Sequence, residues 1–243
     1  METGVCQLNI GRKFSQQLLA SLLPELCQGC RGPAEAGLCA DCRSLVGRVG
    51  DPCGGCGLDR PVSRCPRPEQ GWCIETVTAP FLYESPLDVH IQAMKFRPSR
   101  AMGRALGLLL VEFLEGRGLA EEVDALVPVP LHRRRLIERG FNQAFEIARP
   151  VAAATGLPLI IRGIHRHANT RPQSLLAAHE RYRNMRSAFS IRRNLKGLNV
   201  AIVDDVITTG ATVNTLAASL REAGAGEIHA WALSRVAPRG RVH

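Results

Sequence analysis

Two groups of residues in this 243-residue chain have the types and spacing that chemistry needs. The first is cysteine. Eight of the nine cysteines fall between Cys27 and Cys73, as the pairs Cys27/Cys30, Cys39/Cys42 and Cys53/Cys56 and the looser pair Cys65/Cys73. A C-x-x-C turn lets two thiolates face one tetrahedral Zn²⁺, and two such turns close a four-sulfur site. The gaps from Cys30 to Cys39 and from Cys56 to Cys65 are equal in length, which suggests two successive ribbons. One zinc would take Cys27, Cys30, Cys39 and Cys42, and a second Cys53, Cys56, Cys65 and Cys73. Interleaved pairing and a single zinc stay open, because spacing does not fix connectivity and the last pair is separated by "PRPEQGW". None of the seven histidines lies in this segment, and an all-thiolate shell leaves no open position, so the zinc is expected to be structural. A redox role for a C-x-x-C pair is the competing reading, and Cys6 stands apart as a free thiol.

The second group is "AIVDDVITTGATV", residues 201–213. An apolar run leading into Asp204 and Asp205 reads as a strand that delivers two carboxylates to the carboxyl edge of a parallel sheet, where open α/β folds bind ligands. The residues that follow, Ile207 to Thr212, offer backbone N–H groups, threonine hydroxyls and a helix N-terminus, the components of an anion cradle. Acids suited to a diol beside a cradle suited to a phosphate match a ribose 5-phosphate. A helix capped by Thr209 or Thr212 is the bland alternative, and it explains a threonine but not the paired acids.

The elements that must hold these groups can be read from periodicity. A short amphipathic helix is expected over 14–23 and a strand over 77–83, followed by helices over 87–96 and 100–114. "DALVPVP" (124–130) reads as a strand, 141–154 as a helix, 157–161 as extended and 173–185 as polar and partly helical. The C-terminal third predicts a strand at 199–203, a turn at 204–210, a helix at 211–223 stopped by Gly224, and a strand at 227–233. Strands alternating with helices imply an α/β fold on a mostly parallel sheet. The expected organisation is an N-terminal segment (1–24), a zinc-ribbon module (25–75) and an α/β domain (76–243).

Composition narrows the class further. The longest unbroken apolar run, Ala105 to Val111, is too short to span a bilayer, and Glu2 stands where a signal peptide would be basic. A soluble cytoplasmic protein without membrane insertion is expected. The formal charge is +9, yet residues 132–196 hold 14 Lys/Arg against three acids, so the excess is concentrated in one region. That concentration suits nucleic acid or a phosphorylated ligand.

The stretch 201–213 resembles the PRPP-binding motif of type I phosphoribosyltransferases, in which the acids hold the ribose hydroxyls and the following loop holds the 5-phosphate. The cysteine turns, "APFLYESPLDVHIQAMKF" (79–96), "VPVPLHRRRLIERGFNQA" (127–144) and "RHANTRPQSLLAAHERYRNMRSAF" (166–189) are similar to the ComF/GntX family of competence-associated phosphoribosyltransferase-like proteins. The wide Cys65 to Cys73 spacing is the main departure. The resemblance implies a double zinc ribbon followed by a type I phosphoribosyltransferase fold, with PRPP bound as its Mg²⁺ complex. Asp204 and Asp205 would be the catalytic acids, and Thr208, Thr209, Gly210, Ala211 and Thr212 would complete the PRPP site. Arg133, Arg134, Arg135 and Arg139 occupy the place of the family's pyrophosphate loop. Arg171, Arg181 and Arg183 lie where these folds carry a mobile loop. Asn142 and Gln143 match the family motif, with a helix N-cap at Asn142 as the other reading. An acceptor hood would draw on Tyr83, His90, Lys95 and Phe96, although "HIQAMKF" equally reads as a helix packed on the sheet.

Three functions remain open at this level. The chain transfers a phosphoribosyl group to an unidentified nucleophile with release of pyrophosphate, or it senses PRPP or a nucleotide without turnover. Alternatively it handles single-stranded DNA or partners a helicase in DNA uptake. An aromatic content of 5% argues mildly against a base-stacking groove.

Overall fold

The computed structural model describes residues 25–60, 65, 71–96, 99–167 and 188–236. The helix expected at 14–23, the stretch 173–185, and Arg171, Arg181 and Arg183 lie outside the described residues. In chain order the elements are β1 (Glu25–Leu26), β2 (Pro33–Ala34), α1 (Ala40–Ser44), β3 (Val77–Thr78), β4 (Phe81–Leu82), α2 (Leu87–Phe96) and α3 (Arg100–Glu115). They continue with β5 (Ala125–Pro128), α4 (Arg133–Arg139), α5 (Gln143–Thr155), β6 (Ile164–Arg166), β7 (Phe189–Ile191), β8 (Val200–Ile207), α6 (Ala211–Glu222) and β9 (Ile228–Arg235). No described helix is long and apolar enough to cross a membrane.

The central sheet runs β3-β9-β8-β5, with β4 continuing along β9 beyond β3, and every pairing in it is parallel. A parallel bridge from Leu126 to Leu159 adds the extended segment expected at 157–161. Strand side chains alternate between faces, and here the alternation divides the core in two. Leu126, Ala201, Val203, Trp231 and Leu233 join α2, α3 and α5 on one face. Val127, Val200, Ile202, Ala230 and Ala232 join α6 and the β6–β7 hairpin on the other. Burial on both faces is why β8 and β9 read as near-continuous apolar runs.

Helices α3 and α5 approach closely because α3 carries glycine at Gly103 and Gly107. A Cβ at Gly107 would lie 2.5 Å from the Ile147 carbonyl oxygen, so this packing admits no larger residue there. The cysteine segment shares both cores: Cys27, Leu38 and Val46 enter the first, while Ile74 enters the second with Trp72 and Cys73 against it.

Three local expectations change. The strand expected at 77–83 divides into β3 and β4, both on β9. The segment after "VPVP" forms α4, with His132 as its N-cap and Gly140 closing it at φ 74°. The strand expected to stop at Val203 continues to Ile207, because its pairing with β9 persists to Ile207 opposite Arg235. Asp204 and Asp205 therefore lie on β8 itself, and the turn shrinks to 208–210.

Candidate functional site

Pleating sends Asp204 and Asp205 to opposite faces of β8, and the backbone holds both carboxylates. The Asp205 N–H donates to Asp204 Oδ1 at 2.9 Å, and the Val206 N–H donates to Asp205 Oδ1 at 2.8 Å. Lys95 Nζ, from the last turn of α2, lies 2.8 Å from Asp205 Oδ2. Burial, with the Asp205 charge beside it, pushes the Asp204 carboxyl from 3.8 up to about 8. The charges of Lys95 and Arg166 oppose that rise.

The basic segment expected on the pyrophosphate side separates by helix geometry. Arg135 and Arg139, four residues apart and so on one face of α4, are half-buried, whereas Arg133 and Arg134 are exposed. Arg134 spends its charge on Glu138 at 2.9 Å. Burial and the nearby Arg135 charge lower the pKa of Arg139, and the Asp205 charge opposes them. Arg166, at the end of β6, sits over the Phe189 ring at 5.5 Å. Burial and Arg135 lower its pKa, and Asp204 opposes that. Thus Lys95, Arg139 and Arg166 lie in electrostatic reach of the acid pair from three separate elements, and the charge of Arg135 bears on the two arginines. Arg166 was not among the expected ligand cations, and Lys95 was expected only in an acceptor hood. The sequence around Arg166 carried no signal for it, because its placement follows from the pairing of β6 with β7.

Asn142 is the N-cap of α5, accepting from the Ala144 N–H at 3.1 Å while its Nδ2 donates to the Val129 carbonyl at 2.9 Å. Gln143 is buried; its Nε2 donates to the Met94 carbonyl at 3.4 Å, and its Oε1 accepts from Arg139 at 3.2 Å. The motif "RGFNQ" therefore fixes the start of α5 and one arginine. Helix α2 packs on the core through Leu87, Ile91 and Met94, as the bland reading of "HIQAMKF" had it, and leaves Phe96 79% exposed. Tyr83 and His90 are half-buried, and burial lowers the pKa of His90.

Just past the carboxyl end of β8, Gly210 is the N-cap of α6 at φ 82°, and no side chain caps the helix. The alternative of a threonine cap is not what forms: Thr209 Oγ1 accepts from the Ala211 N–H, at 3.3 Å. Thr208, Thr209 and Ala211 are exposed, and Thr212 is half-exposed. The result is an open helix N-terminus a few residues beyond two carboxylates, a favourable setting for an anion.

The cysteines form two clusters among the described residues. The sulfurs of Cys27, Cys30, Cys39 and Cys42 lie within 4.8 Å of one another, as do those of Cys53, Cys56 and Cys65. No described cysteine is in a disulfide. The first set fits a metal-thiolate knuckle: the Cys39 N–H donates to Cys27 Sγ at 3.3 Å and the Cys42 N–H to Cys39 Sγ at 3.5 Å. Burial raises the Cys27 pKa, but N–H donors from Cys39, Cys30 and Gly29 outweigh it and bring the thiol down to about 6. Burial and its neighbours push Cys42 up to about 12, so a second thiolate needs a cation to form readily. Either cluster is compatible with zinc held by thiolates. Cys73 is not in the second cluster. Its N–H donates to Asn214 Oδ1 at 2.7 Å, which ties its backbone to α6.

The phosphoribosyl transferase domain model matches residues 139–240, the part that contains the acid pair and the loop after it. Along most of its length the chain is similar to the DNA utilization protein YhgH of Salmonella typhimurium, 35% identical over 88% of this chain and 98% of that protein. Competence protein F of Haemophilus influenzae is 30% identical, over 86% of this chain and 96% of that one. Competence protein ComFC of Streptococcus pneumoniae is 27% identical, over 82% and 87%. The solved structure of the allosteric regulatory enzyme of purine biosynthesis overlaps 55% of this chain and 26% of its own, at 25% identity and a TM-score of 0.40, too loosely to carry residue positions across.

Proposed function

The chain belongs to the family of the DNA utilization protein YhgH and competence protein F, and we propose that it binds Mg²⁺–PRPP at the edge of β8 and transfers the phosphoribosyl group to a nucleophile. The observation that carries this reading is the adjacency of the acid pair on β8 to the uncapped N-terminus of α6. Asp204 and Asp205 accept hydrogen bonds from the ribose diol. The 208–212 loop donates to the 5-phosphate through backbone N–H groups and the hydroxyls of Thr208, Thr209 and Thr212. Mg²⁺ accompanies PRPP and neutralises part of the pyrophosphate charge. Arg135, Arg139 and Arg166 meet the remainder, and Lys95 joins them when the diol takes over Asp205. The nucleophile then bonds to the anomeric carbon as the C–O bond to pyrophosphate breaks, and pyrophosphate departs with that electron pair. The protein's part is positioning and charge stabilisation. In the proposed division, residues 25–75 form the cysteine module, with structural zinc, and 76–243 the transferase-like domain.

Calorimetry with Mg²⁺–PRPP tests the pocket: the wild type binds, and Asp204→Ala/Asp205→Ala does not. No wild-type binding at millimolar PRPP would remove both transfer and sensing. A screen of nucleobases and other nucleophiles for pyrophosphate release then separates the two, since a sensor binds without turnover.

A second reading has its own support. Arg133, Arg134, Arg162, Arg192, Arg193 and Lys196 are all exposed, and the relatives' names link those proteins to DNA utilization and competence. Single-stranded DNA bound at such a surface loses affinity steeply with salt. Asp205→Ala should leave that binding intact or stronger, whereas a shared site would lose both ligands.

A further inference from the structure

Glu146 and Asp205 are buried carboxylates, and each faces a cation: Arg149 Nη1 lies 3.1 Å from Glu146 Oε2, and Lys95 Nζ lies 2.8 Å from Asp205 Oδ2. Arg235, which closes the buried strand β9, is as deeply enclosed, at 6% exposure. It has no such counterpart. Among the described residues neither its Nε nor its Nη1 has a hydrogen-bond partner. A buried charge without an acceptor is unfavourable, so what this guanidinium lies against matters.

It lies against the turn after β8. A Cβ built on Gly210 would sit 3.3 Å from Arg235 Nη1 and 2.8 Å from the Trp72 ring, so the absence of a side chain is what lets both approach. Trp72 is held there by its neighbours: Asn214 Nδ2 donates to the Gly71 carbonyl at 2.8 Å, and Asn214 Oδ1 accepts from the Cys73 N–H at 2.7 Å. Further along α6, Arg221 Nη2 donates to Glu75 Oε1 at 2.7 Å and to the Cys73 carbonyl at 3.3 Å. Gly210 is also the N-cap of α6, a 12-residue helix that no side chain caps. A helix N-terminus carries partial positive charge, so the helix and the guanidinium bring the same sign to the same glycine. That juxtaposition is unfavourable on both counts, and an anion relieves both. The outer side of the turn is open to one, because Thr208, Thr209 and Ala211 are exposed.

We propose that Arg235 is the buried counter-charge of an anion site at the N-terminus of α6, and that the anion is a phosphate monoester. The helix supplies roughly half a positive charge and the guanidinium a full one, which together suit a phosphate dianion better than a carboxylate. Acting from the buried side of the turn, Arg235 attracts the anion through protein rather than through water, where the interaction would be weaker. The inference rests on the reading of 208–212 as the 5-phosphate cradle and gives that cradle a cation of its own. Lys95, Arg139 and Arg166 stand at the acid pair, and Arg235 stands at the turn. A sugar without the phosphate leaves the guanidinium uncompensated, so Arg235 selects for phosphorylated ligands. The empty protein is less stable for carrying it.

The test uses the full chain as wild type, Arg235→Met, Arg235→Lys and Arg117→Met, the last removing the same charge from an exposed position. In phosphate-free buffer Arg235→Met should unfold at or above the wild-type midpoint, because an apolar chain replaces an unpaired buried charge. A midpoint well below wild type, or failure to fold, overturns the proposal, since the guanidinium would then have a partner inside the protein. Inorganic phosphate or ribose 5-phosphate should raise the midpoint of wild type and Arg117→Met but not of Arg235→Met. By calorimetry, ribose 5-phosphate should bind Arg235→Met about tenfold or more weakly than wild type, with Arg235→Lys between them. Equal affinity in wild type and Arg235→Met overturns the assignment. Hydrogen exchange needs no variant: ribose 5-phosphate should slow exchange of the 210–213 amides in wild type, and unchanged exchange at millimolar ligand removes the site. Binding of phosphate and ribose 5-phosphate that depends on Arg235, without binding of Mg²⁺–PRPP, would keep this site and remove the proposed transfer. Mg²⁺–PRPP binding equal in wild type and Arg235→Met would do the reverse.

Discussion

The two cysteine clusters begin from the same spacing and end in different surroundings. The first collects four thiols and sits on the helical face of the sheet, with Cys27 and Leu38 in its core and a Cβ at Gly37 only 2.6 Å from Ala105 of α3. The second collects three and packs on β3, and the chain beyond it places Trp72 against the turn after β8. Equal loops between cysteine pairs do not imply equal surroundings: the first set enters the core beside α3, and the second leads into the segment that packs Trp72 on the turn after β8.

The largest test of that contrast is Cys27→Ser. It removes a fully buried ligand from a closed four-thiol set, and the expected cost exceeds about 4 kcal/mol, the range associated with losing a metal. Denaturant midpoint and zinc content should fall together. Cys73→Ser should cost less than about 0.5 kcal/mol and leave zinc content unchanged, because Cys73 contributes its backbone to Asn214 and not its sulfur to the cluster. A lost zinc in Cys73→Ser would erase the distinction between the clusters. Next in size is Gly210→Ala, which puts a Cβ into a left-handed backbone and within 2.8 Å of Trp72. An expected loss of about 1–2 kcal/mol, with PRPP binding reduced more than zinc binding at the first cluster, would show that the strain is confined to the second cluster's side.

Much of this arrangement was legible in the sequence where the cause is local. Helices α2, α3, α5 and α6 announce themselves through 3.6-residue periodicity, and β8 and β9 through apolar runs. The acid pair stood out because carboxylates are out of place in such a run. What was not legible depends on distant partners. Strand β8 outruns its apolar stretch because β9 pairs with it up to Arg235. Hairpin β6–β7 joins two three-residue strands across a long insertion, with no hairpin turn signal between them. Helix α4 exposes Leu136 and Ile137, so its pattern does not resemble a packed helix. That the close sulfur set is Cys53, Cys56 and Cys65 without Cys73 depends on how the chain runs in space, which pair lengths alone do not show. Arg235 could have been noticed, as a charge closing a strand that is otherwise nearly all apolar.

The acid pair sharpens the contrast through pH. With its folded pKa raised from 3.8 to about 8, Asp204 binds more protons in the folded than in the unfolded state between those values. Stability from this group is therefore present below pH 4 and lost as pH rises toward 8. Ligand binding runs the other way, because a diol needs an ionised acceptor. Mg²⁺–PRPP affinity should rise by up to about tenfold per pH unit between pH 6 and 8 and flatten above, with Asp204→Asn flat throughout. Zinc at the first cluster of Asp204→Asn should match the wild type, since among the described residues no hydrogen bond or ion pair joins the two.

The smallest effect concerns how the first cluster is held. Arg43 meets Glu112 of α3 at 2.8 Å and Arg104 meets Glu25 at 3.0 Å, but all four side chains are more than a third exposed. Exposed pairs of this kind contribute about 0–1 kcal/mol and weaken with salt. Glu112→Ala should therefore lower the denaturant midpoint only slightly, and 0.5 M NaCl should remove the difference. A loss well above 1 kcal/mol that survives salt would mean that the ion pairs, and not Cys27, Leu38 and the thiolates, hold this cluster to α3. Its attachment would then be electrostatic, and the contrast with the second cluster, fastened through Trp72 and hydrogen bonds to α6, would have to be redrawn on that basis.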